Sequence, residues 1–289
     1  MPELPEVECV RLSLERLVVG RPVASVRVIR ADVITGPTSP AALLVGDRVS
    51  GVVRHGKQLA IVATGGGCVS VHLGMSGQLC VAGIGEPAEP TEQRTTGVSG
   101  SDWPAHTHVV WHLDGGHAIR FTDPRRFGGV WTFDDLDQLI KTRWSRLGPD
   151  ALTITPSRLW KGLSRTRRAL KAALLDQHVV AGLGNIYVDE LLFKAKLNPM
   201  VPADRLDRDF VPGLIRRMKT LLDGAIQRGG SSLRDYVDAE NQRGTQQEHH
   251  RVYGRAGLRC MRRGCSGWIM TGQVAGRTTA WCPVCQPTG

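Results

Sequence analysis

Four clustered cysteines at the C-terminal end constrain the fold of this chain more than any other feature. They are spaced Cys260-x4-Cys265-x16-Cys282-x2-Cys285, whereas the other three of the seven cysteines lie in the N-terminal part. Residues 251–289 also carry six arginines and no acid, so burial alone cannot fix their structure. Two close thiol pairs at this separation suit a β-hairpin over one tetrahedral zinc ion, although four reduced structural thiols are the alternative. We therefore expect a zinc finger over residues 251–289, with one structural zinc ion because four protein ligands leave no open position.

The net charge of +10 suits a polyanionic partner, because Lys and Arg that neutralise phosphates release condensed counterions. The stretch 158–172 carries six Lys and Arg and no acid, which favours a phosphate-binding face over an ordinary solvated one. No stretch approaches the roughly 18 apolar residues of a membrane span, and the acidic N-terminus does not resemble a signal peptide. We expect a cytoplasmic protein without a membrane partner.

The apolar pattern predicts two domains before the zinc finger. Residues 5–17 approximate a helical stripe, and β-branched runs broken by glycine predict strands at 23–29, 49–54, 59–63, 69–73, 108–113 and 118–121. These runs indicate an antiparallel β domain over residues 1–133, with an exposed loop at 83–103. From residue 134 to 250 the pattern is helical, most clearly at 214–226 before Gly229-Gly230. There we expect Ser231 and Ser232 to cap a further helix and residues 238–250 to form a mobile loop.

Two further segments offer chemistry. Residues 181–185 (AGLGN) precede an apolar helix, a geometry that binds a phosphate with backbone amides, although no Gly-Lys-Ser/Thr follows and Asn185 alone suits an ordinary helix cap. At the N-terminus, Met before a small residue such as Pro2 is normally removed. That exposes a secondary amine with a pKa of about 8, which is nucleophilic. On composition alone, an ordinary helix start explains Pro2 and Glu3 better.

Six separated motifs change this balance when they are taken together. They are MPELPEVE at 1–8, RHGK at 54–57, HLGMSG at 72–77, TDPRRFG at 122–128, GLGNIY at 182–187 and the four-cysteine tail. In this order they resemble the formamidopyrimidine-DNA glycosylase family over essentially the whole chain. The resemblance implies an α+β fold: an N-terminal helix with an antiparallel β-sandwich, then a helix-two-turn-helix domain and a zinc β-hairpin.

The resemblance also implies a base-excision repair enzyme with glycosylase and lyase activities, acting on 8-oxoguanine and formamidopyrimidines. Pro2 would attack C1′, and Glu3 would act as acid and base, with Glu6 supporting the site. Lys57 would approach the lesion and its phosphate, and Arg277 would bind flanking phosphates and assist the second of the two eliminations. The expected partner is double-stranded DNA containing an oxidised base, bound by a monomer in a cytoplasmic, nucleoid-associated setting.

A base inside a duplex must be flipped out before it can react, and the hole must be filled. Met75, Arg125 and Phe127 match the family's void-filling residues, with Arg125 facing the orphaned cytosine and Phe127 wedging the stack. The positions that match backbone contacts are His72, His106, Asn185, Arg165 and Arg167.

The sequence departs from the family pattern at two places, and two alternative functions stay open. The first cysteine pair is separated by four residues where the family usually has two, and the loop 236–250 over the damaged base is idiosyncratic. An endonuclease VIII-like enzyme for oxidised pyrimidines is the nearest rival, but those relatives usually carry glycine where this chain has Leu4. A non-catalytic DNA-binding paralogue is the other, and intact Pro2, Glu3 and Lys57 argue against it.

Overall fold

The computed structural model describes residues 1–83, 103–233 and 235–288. The chain begins with the predicted helix, α1 (Leu4–Val18), whose first turn is closed by a hydrogen bond from the backbone amide of Glu3 to the Glu6 carboxylate at 2.8 Å. Its apolar face, including Val7, Val10 and Leu14, is almost fully buried. The helical stripe in the sequence therefore marks the face that packs on the sheets.

Two sheets pack with α1 around one core, as the predicted β-sandwich requires. Among the described residues of this domain the strands are β1 (Val23–Val28), β2 (Ile34–Thr35), β3 (Val49–His55), β4 (Gln58–Ala63), β5 (Cys68–His72), β6 (Gln78–Ala82), β7 (Thr107–Leu113), β8 (Ala118–Thr122) and β9 (Gly129–Phe133). One sheet has the order β1-β7-β8-β6 and the other β2-β9-β5-β4-β3. The pairings are antiparallel except for the short β2, which runs parallel to β9. The α+β expectation is confirmed.

A second core is built from helices. Before it, the short α2 (Leu136–Thr142) still packs on the sandwich, where Leu139 lies in a buried cluster with Ala60 and Cys68. The helices of the second core are α3 (Pro156–Leu163), α4 (Leu170–Leu175), α5 (Asn185–Ala195) and α6 (Val211–Gln227). Helix α5 lies at the centre, with nine of its eleven residues buried. Leu4 of α1 belongs to this helical core although its neighbours pack on the sandwich. The N-terminus of the chain is thus held between the two cores.

The segment after α6 differs from expectation. Ser231 and Ser232 do not begin a helix, because the amide of Ser231 donates to the Glu6 carboxylate at 2.7 Å instead of starting a helical turn. The stretch 238–250 is not a loose loop either: Ala239 is buried in the sandwich core and its carbonyl accepts from the amide of Val81 at 2.8 Å. A polar sequence concealed these contacts, since they are made mostly by backbone atoms. Of the loop expected at 83–103, residues 84–102 lie outside the described residues.

The C-terminal segment forms the predicted hairpin, β10 (Met270–Val274) and β11 (Arg277–Trp281). A third, small cluster of buried side chains supports it, including Val252, Ile269 and the cysteines. Within the described ranges, no helix is long and apolar enough to cross a membrane. The domain boundaries after residues 133 and 250 stay predictions.

Candidate active site and nucleic-acid interface

The Glu3 carboxylate caps the N-terminus of α5, joining the two cores. It accepts hydrogen bonds from the amides of Gly184 at 2.7 Å, Ile186 at 2.9 Å and Tyr187 at 3.3 Å. The AGLGN turn was expected to offer these amides to a phosphate, and that expectation is wrong because Glu3 occupies them. A Cβ on Gly184 would lie 2.4 Å from Cδ of Glu3, so only glycine allows this approach.

Burial gives the Glu3 carboxyl an unusual pKa. Desolvation raises the pKa of Glu3 from its ordinary 4.5 to about 7; Lys57 opposes the rise and the nearby Glu6 adds to it. Burial likewise lowers the pKa of the Lys57 ammonium, which has no hydrogen-bond or ion-pair partner among the described residues. A carboxyl whose pKa lies near neutral pH can both give and take a proton during a reaction.

This raised pKa predicts a pH-dependent stability. The folded protein holds a proton on Glu3 that the unfolded chain releases, so the stabilisation is complete below pH 4.5 and is lost as the pH rises through about 7. A pKa change of this size corresponds to roughly 3 kcal/mol. We expect wild type to lose about that much unfolding free energy relative to Glu3→Gln between pH 4.5 and 8. Urea unfolding at a series of pH values measures it, and parallel pH curves for the two proteins would contradict it.

Glu6 holds three segments together behind the site. Its carboxylate accepts from the hydroxyl of Tyr187 at 2.5 Å and from the amide of Ser231 at 2.7 Å, in addition to the amide of Glu3. The Glu6 carbonyl also accepts from the hydroxyl of Tyr236 at 3.2 Å. Because Glu6 is 1% exposed, it orients Glu3, Ser231 and Tyr236 without reaching solvent.

Pro2 lines a cavity of about 360 Å³ that opens beside these groups. Residues on either side of position 234 also line it, namely Ser231, Leu233, Asp235 and Tyr236. The other lining residues include Met75, Ser76, Arg125, Ile186 and Tyr253. The sequence analysis included Tyr236 in the loop over the damaged base but did not identify Ser231 or Tyr253 as lining residues, because neither lies in a motif that signals a shared cavity.

Three of the predicted residues are exposed, and we call Met75, Arg125 and Phe127 the wedge. Met75 and Arg125 line the cavity, and Phe127 lies against Arg125. Met75 is 39% exposed and Phe127 57% exposed, both high for large apolar side chains. The Arg125 guanidinium lies 4.9 Å from the centre of the Phe127 ring, a cation–π contact that orders both. The structure therefore brings the three side chains into one exposed group.

The other predicted contact residues lie outside the lining of this cavity. Burial and the nearby Arg143 and Lys57 cations lower the pKa of His72 to about 4, so its ring is neutral. Its Nδ1 accepts from the amide of Gly74 at 3.2 Å, which leaves Nε2 as the donor. His106 is exposed with a positive φ of 65°. Arg165 and Arg167 are also exposed, apart from the cavity lining.

The hairpin that carries Arg277 is fixed to α5 and α4 close to its tip. The carbonyl of Thr278 accepts from Nδ2 of Asn185 at 2.8 Å and from Nζ of Lys171 at 3.0 Å. Lys171 also pairs with Asp189 at 2.7 Å, and the amide of Ala280 donates to the same carboxylate at 3.0 Å. Lys171, which the sequence placed in a basic run expected to bind phosphates, is fully buried, so it anchors the hairpin rather than a phosphate. Arg277 itself remains exposed.

The four clustered cysteines converge as a tetrahedral zinc site requires. Their sulfur atoms lie within 4.8 Å of one another, with 3.8 Å between Cys260 and Cys285 and 3.7 Å between Cys265 and Cys282. Such separations fit four thiolates around one ion with Zn–S bonds of about 2.3 Å. These cysteines can therefore bind one structural zinc ion.

Comparisons with known proteins agree with this architecture. The family description "Formamidopyrimidine-DNA glycosylase N-terminal domain" matches residues 1–130, and "Formamidopyrimidine-DNA glycosylase H2TH domain" matches residues 147–237. A formamidopyrimidine-DNA glycosylase of Cereibacter sphaeroides is 40% identical, covering 99% of this chain and 100% of the relative. One from Geobacillus kaustophilus is 38% identical with the same coverage.

Solved structures of the same family resemble this chain over nearly its whole length. The MutM (Fpg) protein of Thermus thermophilus superposes with a TM-score of 0.83 at 35% identity, covering 100% of both chains. The Lactococcus lactis Fpg, solved in complex with DNA containing an abasic site, gives 0.85 at 30% identity over 99% of this chain and 100% of that one. A sandwich and a helical core joined at a buried carboxylate thus define a DNA glycosylase, an enzyme of base-excision repair. The chain belongs to the formamidopyrimidine-DNA glycosylase family.

Proposed function

We propose that this protein removes oxidised purines, chiefly 8-oxoguanine and formamidopyrimidines, from double-stranded DNA and then nicks the strand by β,δ-elimination. The observation that carries the proposal is the cavity that Pro2 lines, beside a buried carboxyl with a pKa of about 7. The Lactococcus lactis relative was solved in complex with DNA containing an abasic site and, as a mutant, with DNA containing Fapy-dG, and we transfer that substrate class to this chain.

In the proposed mechanism the amine of Pro2, free after removal of Met1, attacks C1′ of the flipped nucleotide and the base leaves with its bonding electrons. The C1′–O4′ bond then breaks, with O4′ taking a proton from Glu3, so the opened sugar is held as an iminium that acidifies C2′. Loss of a proton from C2′ expels the 3′ phosphate, and a second elimination expels the 5′ phosphate. Glu3 transfers the protons, since its pKa near neutral suits both directions. Lys57 and Arg277 offer positive charge to the phosphates as they leave.

The remaining residues position the DNA. His72, His106, Asn185, Arg165 and Arg167 contact the sugar-phosphate backbone, and the zinc ion held by the four cysteines keeps the Arg277 hairpin folded. The proposal keeps the expectations of a monomer and of a cytoplasmic, nucleoid-associated location.

Single-turnover kinetics on duplexes that each carry one lesion test the proposed specificity. We expect faster release of 8-oxoguanine and formamidopyrimidines than of oxidised pyrimidines, with phosphate at both new ends as β,δ-elimination requires. A preference for oxidised pyrimidines would favour the endonuclease VIII-like alternative, and binding without release would favour the non-catalytic one.

Phe127→Ala tests the wedge within this proposal. Unstacking a base costs a few kcal/mol, so loss of the ring should slow lesion excision by about ten- to a hundredfold. A preformed abasic site has already lost its base, so its cleavage should change less. Ile140→Ala is the matched control, because Ile140 is similarly exposed at 42% and lies on α2, outside the cavity lining. Equal losses on both substrates would point to a folding defect and contradict the wedge role.

A further inference from the structure

A single carboxylate, that of Asp123, connects the two turns that carry the wedge. Its Oδ1 accepts from the hydroxyl of Ser76 at 2.6 Å and lies 3.3 Å from the amide of Arg125. Its Oδ2 accepts from the amide of Gly128 at 2.7 Å. Ser76 follows Met75 and Gly128 follows Phe127, so every bond ends on a wedge residue or beside one.

The two turns also touch each other through their backbones. A Cβ on Gly74 would lie 2.3 Å from the amide nitrogen of Gly128, and a Cβ on Gly128 would lie 2.5 Å from the carbonyl of His72. Gly74 has a positive φ of 61°, a conformation that glycine adopts readily. Backbones this close cannot move independently, so a shift of one turn displaces the other.

Asp123 is itself fixed on both sides. Its amide donates to the carbonyl of His106 at 3.1 Å, and its carbonyl accepts from Nε2 of His108 at 2.9 Å. The residue is 0% exposed, and no cation pairs with its carboxylate among the described residues. The hydrogen bonds of the Asp123 carboxylate therefore all go to the two turns. Hydrogen bonds to a carboxylate are stronger than those between neutral groups.

We propose that Asp123 is a positioning residue that sets Met75, Arg125 and Phe127 in register, so that they enter the duplex as one preformed unit. Asp123 is buried and contacts neither DNA nor the reacting atoms; it acts through the two turns. Ordering the wedge before binding removes an entropic cost that would otherwise fall on the insertion step. The inference rests on the void-filling role in the proposed function.

Asp123→Asn and Ser76→Ala test it, because the first keeps the shape of Asp123 and the second removes one bond. The measurements are excision of 8-oxoguanine, cleavage of a preformed abasic site, and fluorescence of 2-aminopurine next to the lesion, which reports unstacking. Asp47→Asn is the matched control. Its carboxylate also accepts from a hydroxyl, that of Thr64, and from two amides, Arg48 at 2.6 Å and Gly65 at 2.7 Å. This turn lies at the far end of β4 and β5 from His72.

Asp123→Asn should slow lesion excision by about tenfold or more, since a displacement of 1 Å can cost a hundredfold, and should reduce the fluorescence change. Abasic-site cleavage and the Asp47→Asn enzyme should stay at wild-type rates. If Asp123→Asn fails to fold, Ser76→Ala tests the proposal with the same measurements, and we expect a smaller loss of lesion excision because only one hydrogen bond is removed.

A double-mutant cycle separates this inference from the proposal beneath it. In a Phe127→Ala background, Asp123→Asn should add little, because the wedge that it positions is already broken. Two results would overturn the positioning role alone. One is a double variant whose loss of excision rate equals the product of the two single losses; the other is wild-type excision by Asp123→Asn while Phe127→Ala is impaired. Unimpaired excision by Phe127→Ala would overturn the void-filling role first.

Discussion

Replacement of Cys282 by alanine is expected to release the zinc ion and to abolish tight duplex binding while both main cores stay folded. Cys282 is fully buried, and the cluster around it contains few apolar side chains. In small fingers, structural zinc supplies on the order of 10 kcal/mol of folding free energy, more than this cluster can replace. Metal analysis measures the zinc content, circular dichroism the folding of the two cores, and duplex titration the binding of DNA.

Two variants separate loss of metal from other effects. Cys68→Ala removes an equally buried thiol from β5 and should keep stoichiometric zinc. Arg277→Ala should also keep zinc but weaken binding, with a salt dependence shallower by roughly one phosphate contact. Native protein without stoichiometric zinc, or full excision activity in Cys282→Ala, would refute the structural role of the metal.

Pro2→Gly is expected to lower lesion excision by several orders of magnitude, as loss of a covalent catalyst does in other enzymes. The buried ring of Pro2 lines the cavity, and its nitrogen is the amine that the mechanism needs. Retention of Met1 should have a similar effect, because an amide nitrogen cannot form the iminium. Single-turnover excision of 8-oxoguanine measures both.

Pro5→Ala is the control for this substitution. Pro5 is also a buried proline at the start of α1, so its loss perturbs the same turn without touching the proposed nucleophile. Near wild-type excision by Pro2→Gly, or an equal loss in Pro5→Ala, would contradict the assignment to Pro2.

Local patterns anticipated the elements but not the contacts between them. The stripe at 5–17 and the glycine-punctuated runs predicted α1 and six of the strands, because one buried face imposes a period on the sequence. The short β2, together with β6 and β9, was missed. Two residues of β2 are too few to show a period, and their pairing depends on a distant partner.

The Gly182–Asn185 turn shows where local reasoning fails. Its sequence correctly indicated free amides at a helix N-terminus, but their partner, Glu3, lies about 180 positions earlier in the chain. A phosphate and a buried carboxylate both accept hydrogen bonds from such amides, so the local sequence does not distinguish the two partners. The resemblance to the family indicated Glu3 as a candidate catalytic residue. The structure adds that Glu3 caps the N-terminus of α5 and that burial raises its pKa.

Lys171 and Asp123 were concealed for a related reason. Lys171 lies in a run of six basic residues, and only the packing of α4 against α5 reveals that it faces Asp189. Asp123 stands in a recognised motif beside Arg125 and Phe127, yet its bond to Ser76 spans 47 positions. Long-range polar contacts of this kind leave no periodic trace in one sequence.

Identification of the amine that forms the covalent bond tests the central claim most directly. Lys57 is the competing amine, since it is buried near Glu3 with a lowered pKa. Borohydride reduction during reaction with an 8-oxoguanine duplex, followed by proteolysis and peptide mass mapping, locates the trapped sugar. We predict that it lies on Pro2 and that protein blocked at its N-terminus gives no trapped complex. Full trapping by the blocked protein, or a sugar mapped to Lys57, would contradict the account.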